Sequence, residues 1–132
     1  MGIRESEECT TGKGLPYRVV TVESDDFFGD TPGDSPVDRY FRVVRNLLEK
    51  KENIPLVVDL SEVGRTDSAG LSALSLTREE ARVCDENSRR PVCFILPKHI
   101  YEKLRGEGWN FRLLCFDDLY QFENDYEKCN EP

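Results

Sequence analysis

The sequence has a single histidine, no Cys-x-x-Cys pair, no apolar run long enough to cross a bilayer, and fewer cations than anions. Each shortage excludes something. With His99 as the only imidazole, any histidine-dependent catalysis must use that residue. The five cysteines are odd in number, and Cys93 and Cys115 sit inside apolar runs, where a thiol behaves as a small hydrophobe. Neither a disulfide framework nor a zinc site is expected, and a reduced, cytoplasmic setting fits best.

Eighteen Lys and Arg face 26 Asp and Glu, giving a net charge of −8. Such a surface repels phosphate backbones. No Lys/Arg stripe interleaved with aromatics offsets it, so nucleic acid is not an expected partner. No segment approaches the length of a membrane span. The opening "MGIRESEECTTGKG" lacks the apolar core of a secretory signal. Gly2 and Ser6 match the short myristoylation pattern, but one such chain anchors only weakly, so no membrane partner is expected. Internal repeats and low-complexity linkers are absent too. Residues 1–16 are therefore expected to be a polar, flexible tail, and 17–132 one domain.

What is present suits a small globular fold: 132 residues, 38% hydrophobic and 33% charged. "YRVVTV" (Tyr17 to Val22) is β-branched and predicts a strand. "ESDDFFGDTPGDSP" predicts a loop or a distorted hairpin arm. Val37, Tyr40, Phe41, Val44, Leu47 and Leu48 then recur at helical spacing, behind Ser35 as N-cap and Pro36 at the first helical position. "LVVDL" (Leu56 to Leu60) and "VCFIL" (Val92 to Leu96) are short continuous apolar runs, as in strands buried on both faces.

Between those two strands a helix is predicted from about Ser68 to Glu86, turning Leu71, Leu74, Ala81 and Cys84 inward. A short helix over Ile100 and Leu104, ended by Gly106 and Gly108, precedes a last strand, "FRLLCF" (Phe111 to Phe116). A final helix opens at Asp117 or Asp118, with Leu119, Phe122 and Tyr126 at helical spacing. Alternating strands and helices imply an α/β domain: a small mixed, largely parallel sheet with about four helices.

Several chemistries can be weighed. "TTGKGL" offers Gly12 and Lys13, but Gly14 stands where a phosphate-binding loop needs a hydroxyl. The acidic set Glu23, Asp25, Asp26, Asp30 and Asp34 lacks EF-hand spacing, so no metal is expected. A receiver-type phosphoaspartate at Asp59, served by Asp25, Asp26 and Lys98, needs two helices before its acceptor, whereas only one fits. A serine hydrolase using Ser68 and His99 would need Gly-x-Ser-x-Gly, and Thr66 occupies the first glycine position. Ala69 likewise breaks the Asp-Ser-Gly of an aspartic protease.

"TDSAGLSAL" (Thr66 to Leu74) remains. Asp67 or Ser68 at a helix start is stabilising by capping alone, at about 1 kcal/mol. Ala69 and Gly70 suggest more, because glycine costs a helix roughly 1 kcal/mol relative to alanine. Small residues would leave the hydroxyl open to another protein. The free amides and positive dipole of a helix start would also accept a phosphate, whose charge would act outward on a docked partner.

"LVVDLSEVGRTDSAGLSALSLTREEA" resembles the central segment of the STAS domain, shared by sulphate-transporter tails and bacterial anti-sigma-factor antagonists. The likeness is specific around Asp59 to Leu74 and extends in element order from about Tyr17 to Tyr126. It implies a STAS-like fold without catalytic activity or cofactor, and Ser68 as the target of a partner anti-sigma serine kinase, reset by a phosphatase. It also implies a contact surface containing Asp67, Ser68, Ala69, Gly70 and Leu71. Arg65 and Thr66 replace the apolar residues usual before the motif, and the family's Gly-Glu-Leu-Asp type turn is missing. Arg65 is left with three roles: a phosphate partner, a partner for another protein's carboxylate, or the wet end of a strand. A non-phosphorylated adaptor or scaffold is the nearest alternative on the same fold.

Overall fold

The computed structural model describes residues 2–5, 9–10, 14, 16–29, 35–49, 54–84, 92–106, 114–118 and 120–124. Its frame is a run of parallel strands: β3 (Pro16–Glu23), β5 (Leu56–Asp59), β7 (Val92–Ile95) and β8 (Leu114–Phe116). Two more strands pair antiparallel with β3: β1 (Gly2–Glu5) along its outer edge and β2 (Cys9–Thr10) near its start. The sheet is thus six-stranded and mixed, in the order β1-β3-β5-β7-β8 with β2 also on β3. This is an α/β domain.

Residues 2–5 and 9–10 correct the expectation of a flexible tail over 1–16. Gly2 to Glu5 lies opposite Glu23 to Val20. Ile3 packs against the core, and Arg4 stays exposed with its Nε 2.9 Å from Glu23 Oε1. A four-residue strand with one apolar side chain is too short to show periodicity. It forms because β3 offers a free edge whose amides and carbonyls need partners.

Helix α1 (Pro36–Glu49) joins β3 to β5, and α2 (Ser68–Cys84) joins β5 to β7. Helix α3 (Lys98–Gly106) joins β7 to β8, and residues 120–124 form a short fourth helix, α4. Crossovers of one hand that add strands in one direction lay all their helices on the same face. The core shows this arrangement. Val20, Val22, Leu56, Val58 and Phe94 meet Tyr40, Val44 and Leu47 of α1, Leu71 and Leu74 of α2, and Ile100 and Leu104 of α3. The opposite face is smaller. There Tyr17, Val19, Val57, Cys93, Ile95 and Phe116 are closed over by Phe122 of α4. Alternate residues of each strand go to opposite faces, which is why the strands read as unbroken apolar runs.

The helix starts follow local rules. The Asp38 amide donates to Ser35 Oγ at 3.1 Å, and the Ser35 amide and hydroxyl both donate back to Asp38 Oδ2, a reciprocal cap. At α4 the Gln121 amide donates to Asp118 Oδ1 at 2.7 Å, so Asp118 is the cap. The expected contributions of Ala81, Cys84, Gly108, Phe111, Leu119 and Tyr126 lie outside the described residues or side chains. No helix among the described residues is long and apolar enough to cross a membrane.

Candidate functional site

Parallel strands deliver their C-terminal ends to one edge of the sheet, and three connections meet there. After β3 the chain turns into β4 (Asp26–Phe27); after β5 it turns into β6 (Arg65–Thr66). The two short strands pair in parallel, Asp26 opposite Arg65 and Phe27 opposite Thr66. The Asp25 carbonyl accepts both the Gly64 and Arg65 amides at 2.8 Å. The stretch expected to be a loop or a distorted hairpin arm thus contains a two-residue strand, paired in parallel rather than as a hairpin. The signal was Phe27 and Phe28 amid acidic residues: Phe27 is buried and packs edge-on against Tyr40, with ring centroids 5.3 Å apart.

Around this small sheet the residues of "RTDSAGL" take different tasks. Thr66 is buried, and its hydroxyl donates to the Phe27 carbonyl at 2.9 Å. Asp67 is the N-cap of α2. Its Oδ1 accepts the Gly70 amide at 2.8 Å, and its carbonyl accepts the Leu71 amide at 3.1 Å. The same carboxylate accepts the Gly29 amide through both oxygens, at 3.1 and 3.3 Å. One aspartate therefore stops α2 and ties the β3–α1 connection to it.

Ser68 occupies the first helical position, exposed, and takes no part in the bonds that hold this corner. Asp67 has taken the capping role that either residue could have filled. Of the first amides of α2, those of Gly70 and Leu71 are engaged by Asp67.

The small residues have an internal cause. A methyl group on Gly70 would overlap Thr66 Oγ1 and the Phe27 carbonyl, and a Cβ on Gly29 would stand 2.6 Å from that of Ala69. Ala69 and Gly70 are small because β4 and the Gly29 segment press against α2. Their small size thus has a cause within the fold, beside the sequence expectation that it clears space for another protein. Gly70 and Leu71 are buried, Arg65 and Ser68 are exposed, and Asp67 and Ala69 are half-buried.

Arg65 also finds its partner at home. Its Nε and Nη2 donate to the two oxygens of Asp26 at 2.8 and 3.1 Å, and its guanidinium lies 5.8 Å from the Phe28 ring centroid. The Asp26 hydrogen bond, then the Asp26 charge, raises the Arg65 pKa further above its ordinary value. From the third connection, Lys103 of α3 reaches across and donates to the Thr66 carbonyl at 3.0 Å. The sequence reading missed Lys103; only the packing of α3 against the α2 start reveals it. His99, one turn earlier on α3, is exposed, and no hydrogen bond joins it to Ser68.

At the end of β5, Asp59 Oδ1 accepts the Ser61 amide at 2.9 Å, a turn-forming role. No group of three or more metal-ligating side chains exists among the described residues. What this corner can do chemically is present an exposed hydroxyl at a helix start, three residues after an arginine already paired and two after a carbonyl that holds a lysine. No protein-family model matches the chain, and no curated protein matches it.

Proposed function

We propose that the chain is a non-enzymatic, protein-binding regulatory switch of the STAS, anti-sigma-factor-antagonist type, with Ser68 as the residue phosphorylated by a partner serine kinase. One observation carries the reading: Asp67, not Ser68, caps α2, which leaves the Ser68 hydroxyl exposed at the start of a 17-residue helix. Transfer of the γ-phosphoryl group of ATP to Ser68 Oγ would break no bond that holds the fold. The hydroxyl proton would leave to the kinase's base. The product would carry about −1.5 to −2 charge at the positive end of the helix dipole, which favours it.

The effect on a docked protein is the opposite. A partner seated on Ser68 and Arg65 would meet new negative charge next to the Asp67 carboxylate, and repulsion would release it. A phosphatase would restore the docking form. Internal tolerance with external repulsion is what a switch requires, and the likeness of "VVDLSEVGRTDSAGL" to the antagonists supplies the kind of partner.

Replacing Ser68 by aspartate tests the tolerance. The melting temperature of Ser68→Asp should stay within about 3 °C of the parent, less than 1 kcal/mol for a domain of this size. A fall of 10 °C or more would show that the helix start cannot hold an anion, and the switch reading would fail.

A further inference from the structure

We propose that Lys103 is the residue within the chain that answers a charge placed on Ser68, leaving the Thr66 carbonyl to pair with the phosphate. This rests on the reading of Ser68 as the modified residue. The Lys103 ammonium sits 3.0 Å from the Thr66 oxygen, two residues before Ser68. With consecutive Cα atoms about 3.8 Å apart, it lies within about 10 Å of the Ser68 Cα. A phosphoserine extends over part of that gap, and a rotamer change in the four-carbon lysine stem closes the rest.

Among the described residues two cations are bonded at this corner, and their present partners decide which one moves. Arg65 is held by two charge-assisted bonds to Asp26 and lies near the Phe28 ring. Lys103 is exposed and donates to a neutral carbonyl, a weaker acceptor than a carboxylate. Arg65 stays; Lys103 exchanges. The Asp67 carboxylate is already oriented by the Gly29 and Gly70 amides. Phosphorylation would then change the surface twice in the same direction, adding negative charge at Ser68 and withdrawing a positive one from α3. A partner spanning both helices would register the sum.

The test uses full-length protein carrying phosphoserine introduced at position 68 during translation, so no kinase is needed. The second ionisation of phosphoserine, near pH 6 when unperturbed, is followed by phosphorus NMR. Charged groups tied to this corner include Asp25, Asp26 and Arg65 on the paired connections and Asp67 at the helix start. Glu62, His99 and Glu102 are exposed nearby in sequence to Arg65 or Lys103. The titrations are run in a His99→Gln background, which removes the chain's one imidazole.

A nearby ammonium favours the dianion and lowers this pKa. Lys103→Gln should raise it by about half a unit, roughly threefold in proton affinity, and Lys103→Arg should restore it. The difference should shrink as salt is added. A pKa unmoved by Lys103→Gln would overturn the pairing. A phosphorylated chain that does not fold would overturn the anion-tolerant site and the pairing with it. A clear Lys103 effect in a protein that no cell phosphorylates would leave the pairing standing and remove the switch.

Discussion

The Asp67 carboxylate holds the backbone amide of Gly29 through both oxygens, 38 residues away in sequence, while also capping α2. Asp67→Ala removes a cap of about 1 kcal/mol and a charge-assisted bond of about 1.5 kcal/mol or more, so a loss of about 2–3 kcal/mol is expected. Ser68→Ala, one residue on, should stay within about 0.5 kcal/mol of the parent. Urea denaturation of the two variants measures both, and a reversal of their order would assign the cap to Ser68.

Gly70 sits where helix propensity and packing disagree. Alanine there gains up to about 1 kcal/mol of helix propensity. Its methyl would meet the Phe27 carbonyl, which is part of the β4–β6 pairing and cannot rotate away. Overpacking costs typically about 1–3 kcal/mol, and a fixed backbone oxygen puts this site at the upper end. Gly70→Ala should therefore be net destabilising by about 1–2 kcal/mol in chemical denaturation; a more stable variant would refute the close approach.

A buried polar chain links α1 to α2. The Tyr40 hydroxyl meets Thr77 Oγ1 at 2.5 Å, and Thr77 donates to the Ala73 carbonyl at 2.7 Å. Thr77→Val strands the tyrosine hydroxyl and should cost about 1–3 kcal/mol, whereas Thr77→Ser should recover most of it. Burial, only partly opposed by the Thr77 bond, pushes the Tyr40 pKa well above that of an exposed phenol. The raised folded-state pKa fixes the sign. Stability from the neutral phenol is complete below the unfolded value near 10 and falls as pH climbs beyond it. Denaturation midpoints measured between pH 9 and 11 should decline, and less steeply in Tyr40→Phe.

Much of this architecture was legible in the sequence, for reasons that particular residues show. Val37, Tyr40, Val44, Leu47 and Leu48 repeat over three turns, so α1 announces itself, and Ser35 as cap with Pro36 at the first helical position marks the start. Leu56 to Val58 is buried on both faces and leaves an unbroken apolar run. The two-residue strands β4 and β6 are too short for any period, and their pairing depends on a contact across 39 residues. The sequence marked "DSAG" as unusual but could not divide its labour. Which of Asp67 and Ser68 caps, and what Gly70 makes room for, depend on where Phe27 and Gly29 arrive. Lys103 was invisible for the same reason, since an exposed lysine near a helix end looks like any other.

The most direct measurement is mass spectrometry of the protein isolated from its native cells, with every phosphate assigned to a residue. The account predicts a phosphopeptide spanning "TDSAGLSAL" with the group on Ser68, in a proportion that changes with growth condition. Full coverage of that peptide with Ser68 unmodified under all conditions would contradict it. So would phosphate confined to other residues.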